Sequence, residues 1–331
     1  MPPLRAWWTG DPHDPGRLPI DDPRVQDLLD RVAPDETVED LGGAFSLNLH
    51  LSPSARVLRI HRPMISRTRL QAEHDLRTML SAQGIAIPCP LPAAGSTILA
   101  TGTGKRRRLA ELEPFVATIE PEPGIASYGW LFDALGTLHR ALALVPPVMP
   151  RAVVATWGTP RVLQRWLSVT ANAVSSDPAA HEVVAASQAL MPAIRRGWVE
   201  PETLPQQIVH GDFRLGNAVQ SATDRSLVVF DVGFAAIRPR IWDVAYALGF
   251  MHLALGHACD RTQTDAMIVL YERACGLPLS ANERRTIPAM AAIALLHTIA
   301  HAGFMANPIE VVHSQQAFVQ AAARFLALGT D

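Results

Sequence analysis

HGDFRLGN (210–217), with the apolar run VVFDVGF (228–234) placing Asp231 fourteen residues beyond Asn217, is the stretch that decides the reading of this sequence. His-Gly-Asp and Gly-Asn are ordinary turn formers, so the eight residues alone would mark a loop. Asp231 changes that reading, because a carboxylate set among Val and Phe is costly to bury unless it is paired or bound to a cation. Phosphoryl transfer from a nucleotide asks little of a protein. One carboxylate must orient the attacking hydroxyl and accept its proton, while a second carboxylate and an amide oxygen hold Mg²⁺ against the phosphates. Asp212, Asp231 and Asn217 make up that set.

The pattern differs on the two sides of this stretch. LGGAFSLNLHL (41–51) and ARVLRIHR (55–62) alternate apolar and polar residues about a Ser-Pro-Ser turn, which predicts a β-hairpin. From Ser66 to Gln83 the period changes to about 3.6, with Leu70, Leu76, Met79 and Leu80 on one side and Gly84 as the stop, which predicts a helix. IPCPLP (87–92) is a connector, and 96–115 reads as two strands about a Gly-rich turn. Residues 1–40 are a Pro- and Asp-rich leader with one amphipathic stretch from Arg24 to Val32. After Pro114 the stretches 128–142, 160–174, 181–198, 242–258 and 264–276 have helical spacing, two more follow to Leu328, and 208–235 is an island of short strands and loops. The expected class is α+β: a small β-rich unit with one helix over 1–114 and a larger, mostly helical unit over 115–331.

Composition narrows the function. A chain of 331 residues that is 48% hydrophobic and 18% charged is neither disordered nor fibrous. Its 29 Lys+Arg against 31 Asp+Glu, spread evenly along the chain, leave no nucleic-acid footprint. Cys89, Cys259 and Cys275 lack CxxC or His spacing, which argues against a disulfide framework or structural zinc and for a reducing compartment, so a cytoplasmic location is expected. No secretory signal is legible at the N-terminus. Residues 287–307 carry no formal charge over a length that could span a bilayer. With His297, Thr298 and His301 among them they read instead as a buried helix, and no membrane partner is expected. His297 and His301 lack the Glu of HExxH and read as core histidines. Gly102-Thr103-Gly104-Lys105-Arg106 falls short of a phosphate-binding P-loop, since Leu99 and Arg106 occupy its first Gly and its Ser/Thr positions. Lys105 is the one lysine among the basic residues; the other 28 are arginines.

The sequence resembles the aminoglycoside phosphotransferase and choline kinase-like family, which shares the bilobal fold of protein kinases. The resemblance rests on HGDFRLGN (210–217), DVGFAAIRPRIWDVAYAL (231–248) and LGTLHRAL (135–142), and spans roughly residues 40–250. It implies ATP- and Mg²⁺-dependent transfer to a hydroxyl of a small molecule, with Asp212 as the catalytic base and Asn217 and Asp231 as the magnesium ligands. By the same resemblance Asp243 and His210 support the loop, and Gly42, Gly43 and Ser46 lie over the donor phosphates. Glu113 and Phe115 would meet the adenine edge through their backbone, with Phe115 as donor because Pro114 has no N–H.

Two positions depart from the family pattern. Asp231-Val232-Gly233 replaces Asp-Phe-Gly but keeps its carboxylate and glycine. Where the family usually has a phosphate-binding lysine, VLRI (57–60) presents Arg59, which can bind phosphate bidentately. Glu73, the only glutamate of the 66–83 helix, is its expected partner, with Asp75 as the fallback. Residues 160–200 hold only Asp177, Glu182 and Glu200 beside Arg161, Arg165, Arg195 and Arg196. That balance favours a weakly charged or neutral acceptor (a nucleoside or macrolide antibiotic, a sugar, an amino alcohol or acid) over a polycationic aminoglycoside. The competing class is a kinase-like nucleotide-binding module without strong catalysis, which Arg59 at the lysine position favours. No oligomeric state is legible.

Overall fold

A computed structural model describes residues 17–43, 46–150 and 158–328. Its strands are β1 (Thr37–Asp40), β2 (Leu47–Ser52), β3 (Arg56–Ile60), β4 (Leu99–Thr101), β5 (Arg108–Pro114), β6 (Thr118–Ile119), β7 (Gln206–Val209), β8 (Ala218–Ser221), β9 (Leu227–Val229) and β10 (Ala236–Pro239). The chain forms two units. One runs to Thr118 and takes back Ser221–Phe230; the other comprises Ile119–Gln220 and the chain from Asp231 onward. A division at residue 114 did not anticipate the return of 221–230, which is anchored in the first unit where Val229 N–H donates to Ala86 C=O at 2.9 Å.

In the first unit five antiparallel strands form one sheet in the order β1-β2-β3-β5-β4. The expected hairpin is β2–β3; β1 is a further strand at its edge. Residues directly opposite one another share a face, so the register sorts the sheet into two surfaces. Leu49, Leu58 and Leu112 line up, as do Leu47, Ile60 and Ala110. This apolar face is closed by Val25, Leu28 and Leu29 of α1 (Pro23–Val32). Asn48, Arg59 and Glu111 line up on the other, polar face. Helix α2 (Arg67–Ala82), whose Ser66 cap accepts from Arg69 N–H at 3.0 Å, supplies the ion-pair partners of that face.

The second unit is built from α3 (Ile125–Leu142), α4 (Pro160–Ala173), α5 (Pro178–Ala189), α6 (Met191–Gly197), α7 (Ile241–Leu255), α8 (Arg261–Cys275), α9 (Ala281–Ala302), α10 (Pro308–Ser314) and α11 (Gln316–Ala327). The helical pattern over 181–198 is two helices, because Pro192 fits only the first turn of a new one. Helix α9 starts at Ala281 under a Ser280/Glu283 capping box, six residues before the uncharged stretch 287–307, and carries Pro288 inside it. It is buried over most of its length. Among the described residues no helix is long and apolar enough to cross a membrane. His297 and His301 are half-buried on α9, where both rings pack on Trp166 at 5.9 and 4.1 Å between centroids. They are thus an edge of the core more than its centre. Gly136 lets α3 approach α8 closely, since a Cβ there would stand 2.5 Å from Tyr271 O.

At the end of α7 the His252 ring is buried against Phe325, and its Nε2 lies 2.9 Å from Thr264 Oγ1. Burial, helped by the Arg324 charge and opposed by Asp260, pushes the imidazole down to about 4. The folded chain therefore binds this proton less readily than the unfolded one. The stabilisation is full above the ordinary histidine value and is lost as pH falls from about 6.5 toward 4. Thermal melts between pH 7 and 4 are expected to show a smaller acid-induced drop in Tm for His252→Gln than for the wild type; equal drops would refute it.

Candidate active site

The loop 210–217 leaves β7 at Val209 and is held from beneath by Asp243, in the first turn of α7. Asp243 has no exposed surface. Its Oδ2 accepts from His210 N–H at 2.7 Å and its Oδ1 from Gly211 N–H at 2.8 Å. His139 Nε2 of α3 lies 3.1 Å from Oδ2, and its Nδ1 lies 2.9 Å from Tyr271 OH of α8. Burial alone would raise this carboxyl. The hydrogen bond from His139, the facing imidazoles of His139 and His210 and the Gly211 N–H outweigh it and hold the group below the ordinary carboxylate range. Gly211 has φ +85°, and a Cβ there would lie 2.5 Å from Phe234 O. Only glycine fits both conditions. The same contact packs the turn Val232–Phe234, which follows Asp231, directly on the loop.

Asp212 is buried, and each of its oxygens is engaged. Oδ1 accepts from Tyr246 OH in a short contact and from Arg214 Nε at 3.3 Å. Oδ2 accepts from Asn217 Nδ2 at 2.8 Å, and the same amide nitrogen donates to Asp212 C=O at 2.7 Å. Both amide hydrogens of Asn217 are thereby committed, and its Oδ1 has no hydrogen-bond partner among the described residues. Asp231 is half-buried and lies in the left-handed region (φ 56°, ψ 62°), which Asp tolerates better than most residues. Gly233 makes room for it: a Cβ there would be 3.1 Å from Asp231 Oδ1. The structure thus brings His210, Asp212, Asn217 and Asp243 into one hydrogen-bonded group. It adds Tyr246 and Arg214, which the sequence reading passed over. Tyr246 stands three residues after Asp243 in DVAY, the helical spacing that puts both on one face of α7.

On the polar face of the first unit, Glu73 does not pair with Arg59. Its carboxylate is taken by Arg69 Nε at 2.6 Å, one turn earlier on α2, with both side chains buried. The Arg69/Glu73 spacing of four was the signal for this. Glu111 of β5 instead gathers the partners, with His61 Nε2 at 3.0 Å, His74 Nε2 at 2.7 Å and Arg77 Nη2 in close contact. Burial would raise Glu111, but the Arg77 charge and the two histidines push it well below the usual range. Glu113 Oε2 holds Arg77 Nη1 at 2.9 Å, and its backbone stands opposite Val57 in the ladder. Phe115 N–H, the expected adenine donor, already donates to Ala55 C=O at 2.8 Å. Gly42 and Gly43 have φ +83° and +119°, and Asn48 Nδ2 braces Gly42 C=O at 2.9 Å. A Cβ on Gly43 would meet that same Nδ2 at 2.6 Å. Ser46 is half-buried just before β2; Ala44 and Phe45 of this loop lie outside the described residues. Also among the described residues, no group of three or more His, Cys, Asp or Glu side chains could hold a metal ion by itself.

A model of the phosphotransferase enzyme family matches residues 39–277, more than two thirds of the chain. No curated protein matches the sequence. Among solved structures, the chain is similar to a microcompartment-associated aminopropanol kinase, with TM-score 0.72 and 16% identity over 92% of this chain and 98% of the other. It is also similar to an amicoumacin kinase in complex with AMP-PNP and Ca²⁺, with TM-score 0.64 and 14% identity over 92% and 95%. A choline/ethanolamine kinase family protein from Mesorhizobium loti follows, with TM-score 0.57 and 16% identity over 94% and 96%. At such identities the likeness establishes the fold, which is the kinase-like α+β fold expected from the sequence.

The Asp243 geometry has a measurable consequence. Asp243→Ala leaves two buried backbone N–H groups and His139 without their acceptor, which is expected to destabilise the chain by about 3–5 kcal/mol. Urea unfolding measures it, and a loss under about 1 kcal/mol would mean the loop is held by something else.

Proposed function

The chain belongs to the phosphotransferase enzyme family, and from that premise we propose that it moves the terminal phosphoryl group of ATP to a hydroxyl of a small molecule. The observation that carries this reading is the Asp212 carboxylate. A carboxylate offers about four lone-pair directions. Tyr246 and Arg214 take two on Oδ1, and Asn217 takes one on Oδ2. The direction left on Oδ2 suits an acceptor hydroxyl. In the proposed step that O–H donates to Oδ2, and the acceptor oxygen forms a bond to the γ-phosphorus. The bond from phosphorus to the bridging oxygen breaks, its electrons stay on the nucleoside diphosphate, and the proton ends on Asp212. Arg214, with about half its side chain exposed (47%), sets a guanidinium beside the reacting group.

Asn217 Oδ1 and the Asp231 carboxylate are the proposed ligands of a divalent cation. The fit rests on Asn217, whose amide nitrogen is held on Asp212 so that its oxygen is free to coordinate. A carboxylate and an amide oxygen are the hard donors that Mg²⁺ takes alongside phosphates and water. When bound, the cation neutralises charge on the donor phosphates.

Arg59 is the proposed phosphate contact of β3, supported by its place on the polar face. For the base, antiparallel alternation turns Phe115 N–H toward β3 and Pro114 C=O away from that ladder. The outward carbonyl can accept from the amino group of adenine. Guanine would set a carbonyl against a carbonyl. The proposed acceptor molecule is weakly charged or neutral. In its support, Asp177 is committed to capping α5 through Ala180 N–H at 2.8 Å and to His313. A nucleotide-binding module without catalysis is the second reading, and Glu73 held by Arg69 instead of Arg59 favours it.

A panel of hydroxylated metabolites and antibiotics, incubated with Mg-ATP or Mg-GTP and read by mass for a phosphate adduct, separates the two readings. A product from ATP in preference to GTP is expected; an absence of both product and ATP consumption supports the non-catalytic module. On the acceptor found, Asp212→Asn should lower turnover by about 10²–10⁴ while nucleotide binding persists. Near wild-type turnover would remove Asp212 from the chemistry. Arg59→Ala should lower kcat/KM for ATP, with partial recovery in Arg59→Lys. An unchanged value would move the phosphate contact elsewhere.

A further inference from the structure

The proposed base is a side chain whose terminal torsion is intrinsically soft, because the rotation that swaps the two oxygens of a carboxylate is broad and two-fold. Something must break that symmetry for one oxygen to receive the acceptor's proton every time. Arg214 is a poor candidate, since it is half-exposed and its contact is 3.3 Å long. Asn217 holds the other oxygen. The remaining group is Tyr246, buried on α7 with its ring stacked on Phe250 (4.7 Å between centroids, 28° between planes) and beside Trp242 (6.3 Å). A ring so clamped has little freedom, and its hydroxyl is in short contact with Asp212 Oδ1.

Resting on the reading of Asp212 as base, we infer that Tyr246 is the positioning residue of this site: its phenol locks the rotation of the Asp212 carboxylate and assigns proton acceptance to Oδ2. One helix then sets both parts of the loop. Asp243 fixes the backbone at His210 and Gly211, and Tyr246, three residues on, fixes the side chain at Asp212. Burial and the Asp212 charge push the Tyr246 phenol well above its ordinary value, so it stays a donor throughout the working pH range.

The chain has three tyrosines, Tyr128, Tyr246 and Tyr271, so tyrosine labelled with ¹³C at Cζ gives a spectrum simple enough to assign through Tyr246→Phe. Asp212→Asn is expected to move the Tyr246 Cζ signal at neutral pH and leave the other two in place. Steady-state release of phosphate from Mg-ATP, with water as acceptor, gives the second readout. Tyr246→Phe is expected to lower kcat about tenfold with KM for ATP within about twofold. Phe250→Leu, which loosens the ring but keeps the hydroxyl, should lower kcat by less. A mere packing role for Tyr246 would lower Tm and leave kcat of the folded enzyme unchanged. The inference is overturned by an unchanged kcat in Tyr246→Phe, or by a Tyr246 signal indifferent to Asp212→Asn. If Tyr246→Phe alone behaves as wild type while Asp212→Asn is inactive, only this inference falls. If Asp212→Asn retains turnover, the base reading falls and takes the inference with it.

Discussion

A carboxylate with no surface exposed to water must have its lone pairs met from within, and Asp243 is such a group. It meets the demand with the N–H groups of His210 and Gly211 and the imidazole of His139, which itself reaches Tyr271. Missing any one of these costs kilocalories, so α3, α7, α8 and the 210–217 loop are tied to one mutual arrangement. Much else follows from that arrangement. Gly211 must be left-handed to aim its N–H at the carboxylate, the Phe234 carbonyl then occupies the space where a Cβ would stand, and Asp212 emerges next to Tyr246 and Asn217.

The first unit uses the same principle on a sheet. Its apolar face is closed by α1 in the ordinary way, whereas α2 presents Arg69, Glu73, His74 and Arg77, all buried, as well as its leucines. That polar buried surface meets Glu111 and Glu113 of β5. This also explains why Arg59 and Glu73 are not partners. Glu73 is held by Arg69 one turn earlier on the same helix, and Glu111 by His61, His74 and Arg77.

The parts of this structure legible in the sequence are those coded by local period and local turn chemistry. The β2–β3 hairpin, α2 with its Ser66 cap, and the 210–217 loop with Asp243 beneath it are of that kind. β1 was not legible, because Thr37–Asp40 is mostly exposed and has no apolar alternation. Nor was the return of 221–230 to the first unit, which rests on a contact between residues as distant as Ala86 and Val229. Phe115 failed as a donor for a subtler reason: which N–H groups of a strand face outward depends on the pairing register, and composition does not encode it. Tyr246 was hidden in the opposite way. In an otherwise apolar helix a tyrosine reads as packing, and its role emerges only when the carboxylate it touches is in place.

Arg59 on the polar face of β3, in a chain with a single lysine, carries a chemical implication of its own. A guanidinium does not lose its proton at any pH at which a protein stays folded, and it is a poor nucleophile. Positive charge at that strand is therefore constant, and no alkaline loss of function can originate there. Reagents that report kinases by acylating an amine near the donor phosphates would find none on β3. The one lysine is Lys105, in the turn between β4 and β5, so a survey that recognises phosphotransferases by a reactive lysine on that strand would pass this chain over.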